Sequence, residues 1–296
     1  MADRSGTLYL VGTPIGNLED MGDRARRVLG SVGLVAAEDT RRTGKLLARF
    51  GIDARMISFF EGNERSRVPE LMEVLRRGTD VALVSDAGMP GLSDPGYRLV
   101  NACVEEGIGV DVVPGPSAAV AALVVSGLPT DRFVFEGFLP RTGKDRALRL
   151  EELARERRTI VLFESPRRVG RTLTDLLEAL GDRRAAVARE LTKLHQEVIR
   201  GTLSSVLGEV EGRELKGEIV IVVEGRADPP RSGDLAEAVR LAASFVEFGA
   251  RKREASRRAA QATGVAAGAI YDALSRYGAD AGSIISSGGR RADSSE

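Results

Sequence analysis

Two aspartates and a serine, Asp86, Asp94 and Ser85, punctuate the stretch VALVSDAGMPGLSDPG at residues 81–96. The stretch begins as an apolar run, Val81 to Val84, that reads as a buried strand. It continues as a loop carrying Gly88, Pro90, Gly91, Pro95 and Gly96. Open α/β sheets bind ligands at the loops following the carboxyl ends of their strands, so this loop is a candidate cofactor floor. Small residues let a ligand approach the backbone, and Asp86 can accept from hydroxyls or face a cation. The alternative is a breaker-rich turn with Asp86 as its Asx residue. Two further loops share this character: Gly12-Thr13-Pro14-Ile15-Gly16-Asn17 after Leu8 to Val11, and Pro114-Gly115-Pro116-Ser117 after Val110 to Val113. None is G-x-G-x-x-G, and no P-loop lysine motif is present. Proline removes a backbone donor where a pyrophosphate would need one. The three loops therefore point to a ligand without phosphate, held by backbone and apolar contacts.

Candidates for proton transfer lie beside other strand ends. Glu38 and Asp39 follow the apolar run 34–37, and Glu190 and His195 follow the run 185–189. Histidine is the residue type whose ordinary titration lies near neutral pH, and His195 is the only one in the chain. It reads equally well as a packed or surface side chain. Arg41 and Arg42, and Arg167 and Arg168, can hold nucleic-acid phosphates or form surface ion pairs. The single cysteine, Cys103, excludes an internal disulfide and reads as an inert core residue. No set of metal ligands at a recognisable spacing stands out.

These residues need a frame. Apolar runs at 8–11, 34–37, 56–59, 81–84 and 110–113 alternate with helical patterns at 20–30, 43–50, 68–77, 97–106 and 118–125. That alternation implies a mostly parallel, doubly wound α/β sheet over residues 1–128. Parallel strands place their carboxyl ends on one side, which would gather the three loops. Asn17 reads as a helix N-cap. A second α/β domain, residues 129–228, is expected from strands at 133–135, 159–163, 185–189 and 218–224, with mixed directions. Residues 228–233 read as a linker. Residues 234–278 read as a helical extension with helix-turn-helix spacing around Gly264, either a nucleic-acid contact or a capping bundle. Residues 279–296 read as a disordered tail.

Charge excludes a general polyanion binder, since 43 Lys and Arg balance 43 Asp and Glu. The balance is uneven along the chain: residues 141–200 hold 15 basic against 10 acidic side chains, residues 1–128 hold 14 against 17. The N-terminus lacks a signal-peptide pattern, and the longest small-apolar run, 117–128, is too short to cross a bilayer. The expected location is the cytoplasm, with no membrane partner.

Six motifs occur in order: LVGTPIGNLED (10–20), AAEDTRRTGKLL (36–47), SDAGMPGLSDPG (85–96), VVPGPSA (112–118), FESPRR (163–168) and RELTKLHQEVIRGTL (189–203). Together they resemble the ribosomal small-subunit RNA (cytidine-2′-O)-methyltransferases, a branch of the tetrapyrrole methylase (class III) superfamily. The resemblance covers residues 6–228. The first loop departs from the G-x-G-x-G-D type usual among corrin and sirohaem methylases, which favours the RNA branch. The resemblance implies two α/β domains with a cofactor cleft between them, S-adenosyl-L-methionine as cofactor, small-subunit ribosomal RNA as partner, and a homodimer. It places cofactor contacts at Pro14, Ile15, Asp86, Gly88, Met89, Ser117 and Ala118, with Phe163 and Leu191 closing the site. Glu38, Asp39 and His195 are then the catalytic candidates, and Arg41, Arg42, Arg167 and Arg168 the RNA contacts. The chain reads His195-Gln196-Glu197 where the family pattern more often has an acid in the middle place. A tetrapyrrole methyltransferase and a non-catalytic nucleic-acid-binding regulator are the alternatives.

Overall fold

The computed structural model describes residues 5–227 and 234–285. The expected linker at 228–233 and the end of the expected tail, 286–296, lie outside the described residues. The chain divides into two compact units, residues 1–226 and 227–296.

The first unit contains two five-stranded sheets. The first sheet is built from β1 (Leu8–Val11), β2 (Leu34–Ala37), β3 (Met56–Ser58), β4 (Val81–Val84) and β5 (Val110–Val113). Its order is β3-β2-β4-β1-β5 and every pairing is parallel. The crossovers are α1 (Asp23–Ser31), α2 (Thr40–Arg49), α3 (Glu64–Arg76) and α4 (Tyr97–Glu105), and α5 (Ala118–Ser126) follows β5. Helices cover both faces, so β4 is buried at every position, as a continuous apolar strand requires. Side chains alternate between faces. Leu34, Val81 and Leu83 pack one way with Leu71 and Leu99, and Val35, Ala82 and Val84 the other way with Leu29 and Leu47. Each such leucine or valine contributes about 1.5–3 kcal/mol on burial. Cys103 lies in the first of these cores against Met72, and burial pushes its thiol up to about 11, which keeps it unreactive.

The second sheet comprises β6 (Phe133–Phe138), β7 (Thr159–Glu164), β8 (Arg184–Arg189), β9 (Glu197–Thr202) and β10 (Ile219–Val223) in the order β6-β7-β10-β8-β9. β6 and β7 are parallel and the other pairs antiparallel, the mixed directions expected. Its helices are α6 (Gly143–Arg155), α7 (Val169–Leu180) and α8 (Leu203–Val210). One face packs on α7 and α8 through Leu173, Leu176, Leu203 and Val206. The other receives α5, whose Ala119, Ala122 and Leu123 seat against Val161, Ala188, Val220 and Val222. The small side chains of α5 let it sit close on the second sheet, although it follows β5 of the first.

Local differences from the sequence reading have physical causes. Asn17 caps a 3₁₀ turn, Leu18–Asp20, by accepting from the Glu19 N–H, and α1 starts after Gly22. α2 begins at Thr40, earlier than its apolar pattern indicates, because the Asp39 carboxylate accepts from the Arg41 and Arg42 N–H groups. β9 has no counterpart among the expected strands.

The second unit packs α9 (Leu235–Glu247), α10 (Lys252–Thr263) and α11 (Ala267–Ile285) around Ala238, Ala242, Ala255, Ala259, Ile270 and Leu274. Gly264 ends α10 in the left-handed region. Residues 279–285 continue α11 instead of starting a tail.

Candidate active site

β4, β1 and β5 are neighbours in the first sheet, so the loops that leave their carboxyl ends adjoin. They are stitched together. Thr13 and Gly88 exchange backbone hydrogen bonds of 2.9 and 3.1 Å. The buried Thr13 hydroxyl also donates to the Ser85 carbonyl at 3.2 Å. Where the first and third loops cross, a Cβ on Gly115 would lie 2.8 Å from the Gly12 Cα, and one on Gly12 would lie 2.6 Å from the Gly115 Cα. Both positions therefore require glycine. Ser117 caps α5 through the Val120 N–H.

Beside this junction lies a cavity of about 370 Å³. Ile15, Met89 and Ala118 form its wall on the first layer, and Phe138, Phe163 and Val220 on the second. Phe163 is held by an edge contact with Phe135 at 4.9 Å and a tilted contact with Phe138 at 5.7 Å.

Five carboxylates border the cavity: Glu38, Asp86, Asp94, Glu164 and Glu218. Glu38 accepts from the Asp86 N–H at 3.0 Å. Asp86 accepts from the Asp39 N–H at 3.1 Å and pairs with Arg42 at 2.9 Å. This exchange locks the β4 loop to the start of α2. Glu164, fully buried, accepts from the Thr172 hydroxyl and the Ser165 N–H, each at 2.7 Å, and pairs with Arg168 at 3.2 Å. Glu218 pairs with Lys193 at 3.3 Å. Asp94 forms no ion pair among the described residues. Burial and the facing carboxylates of Glu38 and Asp86 push it up to about 6, with a Ser85 hydrogen bond pulling the other way.

A second bay of about 330 Å³ adjoins the first, sharing Ile15, Asp86 and Glu218. It carries Pro14 and the basic side chains Arg42, Lys45 and Lys193.

Of the residues singled out from the sequence, Ile15, Asp86, Gly88, Met89, Ser117, Ala118, Phe163 and Glu38 come together at the cavity. Leu191 is buried behind it, in the same core cluster as Ile15. Asp39 is a helix cap paired with Arg41, and that pairing holds its carboxyl below the ordinary range. His195 is exposed on the turn before β9, apart from the residues lining either bay. Arg41 and Arg167 are exposed, whereas Arg168 is spent on Glu164 and the Leu139 carbonyl. The sequence reading passes over Lys45 and Glu164, and treats Asp94 as loop punctuation. The one signal for Asp94 is its place in the same Gly/Pro loop as Asp86.

Residues 7–207 match the tetrapyrrole (corrin/porphyrin) methylases. The chain belongs to that family. A relative named ribosomal RNA small subunit methyltransferase I, from Thermotoga maritima, is 52% identical over 221 residues, 75% of this chain and 99% of the relative. One of the same name from Mycobacterium tuberculosis is 46% identical over 274 residues, 91% of this chain and 95% of the relative. Among solved structures, the methyltransferase CobJ aligns with a TM-score of 0.57 at 20% identity, over 76% of this chain and 98% of its own. Uroporphyrin-III-C-methyltransferase from Thermus thermophilus aligns with a TM-score of 0.52 at 24% identity, over 73% and 94%. At those identities the structures establish the fold of this methylase and nothing narrower.

Proposed function

We propose that this methylase transfers a methyl group from S-adenosyl-L-methionine to the ribose 2′-oxygen of a cytidine in small-subunit ribosomal RNA. The observation that carries the reading is the junction of three proline-bearing loops beside a cavity with apolar walls and an acidic border. It occurs in a chain 43–52% identical to methyltransferases named for small-subunit ribosomal RNA.

The residues suit that cofactor. Its sulfonium and ammonium groups are cations, and Glu38, Asp86 and Asp94 present carboxylates to the same space. Its adenine is an apolar plate, matched by Ile15, Met89 and Phe163. It carries no phosphate, consistent with loops poor in free N–H donors. When bound, it supplies a methyl group made electrophilic by the positively charged sulfur. The chain does the rest. Ile15, Gly88, Ser117 and Ala118 form the floor, with Pro14 in the adjoining bay, Phe138 and Phe163 exclude water, and Leu191 supports Ile15 from behind. Arg42, Lys45 and Lys193 give the adjoining bay a basic lining for an RNA phosphate, with Arg41 and Arg167 exposed for further contacts. Holding nucleophile and methyl group in line supplies much of the acceleration.

Asp86 acts in this scheme by fixing the loop. Asp86→Ala removes the Arg42 pair and the acceptor for the Asp39 N–H. Its affinity for S-adenosyl-L-methionine should fall by about tenfold, the scale of one charge-assisted hydrogen bond, measured by calorimetry. Unchanged affinity would remove Asp86 from the site.

We also assign a homodimer and a cytoplasmic location. Tyr97 and Val104 on α4, and Val120 and Val124 on α5, are exposed apolar side chains that a dimer interface would cover. Among the described residues no helix is long and apolar enough to cross a membrane. The test of the reaction is to supply methyl-labelled S-adenosyl-L-methionine with small ribosomal subunits from cells lacking the enzyme, and separately with a porphyrinoid. Label in the RNA is expected. Label only in the porphyrinoid would replace this reading with the tetrapyrrole one.

A further inference from the structure

The three-helix unit carries a cleft of its own. Its volume is about 550 Å³, and it is lined by Arg253, Ser256 and Arg257 of α10 and by Ala267, Gly268 and Tyr271 of α11. Arg253 and Arg257 are exposed and stand one helical turn apart. Like charges at that spacing repel each other and weaken a helix. Neither pairs with a carboxylate among the described residues, whereas the neighbouring Arg258 holds Glu254 at 2.6 Å. Arg251 and Lys252 extend the same basic stretch and are also exposed. Residues 251–258 thus hold five basic side chains against one acid, and that acid is already engaged. A bound polyanion would relieve the repulsion.

The opposite wall of the cleft is small and open. A Cβ on Gly268 would meet nothing within 4 Å. Beyond Ala267 and Gly268 stands Tyr271, one of the few exposed aromatic rings of the chain. Two guanidinium groups and a ring around one open space suit a nucleotide, which is an anion joined to a flat base.

The same residues decide between paired and unpaired nucleic acid. A helix-turn-helix reads duplex DNA through side chains at the start of its second helix. Here that stretch is Ala267-Gly268-Ala269-Ile270, and Ile270 is buried in the three-helix core. None of the four side chains can donate to or accept from a base edge. Asp272, which follows Tyr271, lies outside the cleft lining and would repel phosphate. An RNA duplex has a deep, narrow major groove that side chains cannot read. An unpaired strand leaves its bases free to stack on a ring and meets neither restriction.

We propose that this cleft binds an unpaired stretch of small-subunit RNA, with backbone phosphates on Arg253 and Arg257 and a base stacked on Tyr271; the identity of that RNA rests on the ribosomal-RNA reading above. Its contribution is to affinity. Both units belong to one chain, so an RNA held here meets the methylase site as an intramolecular partner.

The test uses the full-length chain as wild type, Arg253→Ala with Arg257→Ala, the same pair changed to lysine, Tyr271→Leu, Tyr271→Phe and Arg240→Ala. Arg240 is exposed on α9 and lies outside the cleft lining. Binding of polyuridylate and of purified small-subunit RNA is measured by filter retention without cofactor, and methyl transfer to small subunits is followed separately. The double alanine variant should bind both RNAs about tenfold more weakly, and the slope of log affinity against log salt should shrink by about 1.4, the share of two phosphate contacts on a single strand. The lysine pair should keep that slope. Tyr271→Leu should weaken binding by about fivefold or more at an unchanged slope, and Tyr271→Phe should match wild type, because stacking needs the ring and not the hydroxyl. In the transfer assay the losses should appear in KM for the subunits and not in kcat. Removing two repelling charges should leave the melting temperature equal or higher.

An Arg240→Ala loss as large as that of the double variant would reduce the effect to net charge and overturn the proposal. A melting temperature lowered together with the lost binding would make the arginines structural and overturn it as well. Duplex RNA or duplex DNA bound as tightly as polyuridylate would overturn the assignment to an unpaired strand. A wild-type enzyme that leaves small subunits unlabelled overturns the reaction reading alone, because the binding measurement needs no methyl transfer.

Discussion

Gly115→Ala is expected to weaken S-adenosyl-L-methionine binding about a hundredfold and to destabilise the fold by about 1–3 kcal/mol. The added methyl group would lie 2.8 Å from the Gly12 Cα and 2.9 Å from the Gly12 carbonyl carbon. Both are backbone atoms, so no side chain can rotate away. The first and third loops must separate, and the first cannot move alone because Thr13 is bonded to Gly88 of the second. One methyl group therefore disturbs all three loops that line the cavity. Calorimetry and thermal melting measure the two effects. Gly22→Ala is the control. A Cβ there meets nothing within 4 Å, and its backbone is not in the left-handed region. It should change neither quantity appreciably, and equal effects at the two positions would refute the close-approach argument.

The largest loss of stability is expected at Arg146. This guanidinium is almost wholly buried beneath the second sheet. It pairs with Asp175 at 2.6 Å, donates to the Pro140 carbonyl at 2.9 Å and to the Thr172 hydroxyl oxygen at 3.0 Å. The Thr172 hydroxyl in turn donates to Glu164, which borders the cavity. Arg146→Ala leaves Asp175 with only the Arg171 guanidinium, 4.0 Å away, strands two acceptors, and should cost about 3–5 kcal/mol in urea denaturation. Asp175→Asn in the same background should recover part of that loss by removing the poorly paired charge. A single variant as stable as wild type would mean that the pair contributes nothing to the fold. Rim pairs such as Arg155 with Glu151 are exposed and should cost less than about 1 kcal/mol to remove.

These two sites also mark what the sequence makes legible. β4 is readable because Val81 to Val84 is a continuous apolar run bounded by turn residues, and the paired layers follow from several such runs. The three loops stand out by composition, and their convergence follows once the strands are parallel. Their actual contact depends on β4, β1 and β5 being neighbours, a crossover order that no local pattern encodes. β9 is unreadable for a related reason. Glu197 and Arg200 break its apolar pattern, and their partners are Arg189, Arg213 and the Val125 carbonyl, all outside the strand itself. Arg146 reads as one more charge on a polar helix until α7 covers it.

Residue type alone does not show how the candidate proton-transfer side chains are placed. Asp39 is used as a helix cap, while His195 lies exposed on a turn. Asp94 acquires its character from burial and from two carboxylates on other loops, so only the folded chain reveals it.

The account is tested most directly by the nucleosides of small-subunit RNA after reaction with methyl-labelled S-adenosyl-L-methionine, separated by liquid chromatography and identified by mass spectrometry. The label is expected in 2′-O-methylcytidine. Label in a base-methylated nucleoside, or RNA left unlabelled by the wild-type enzyme, would contradict it.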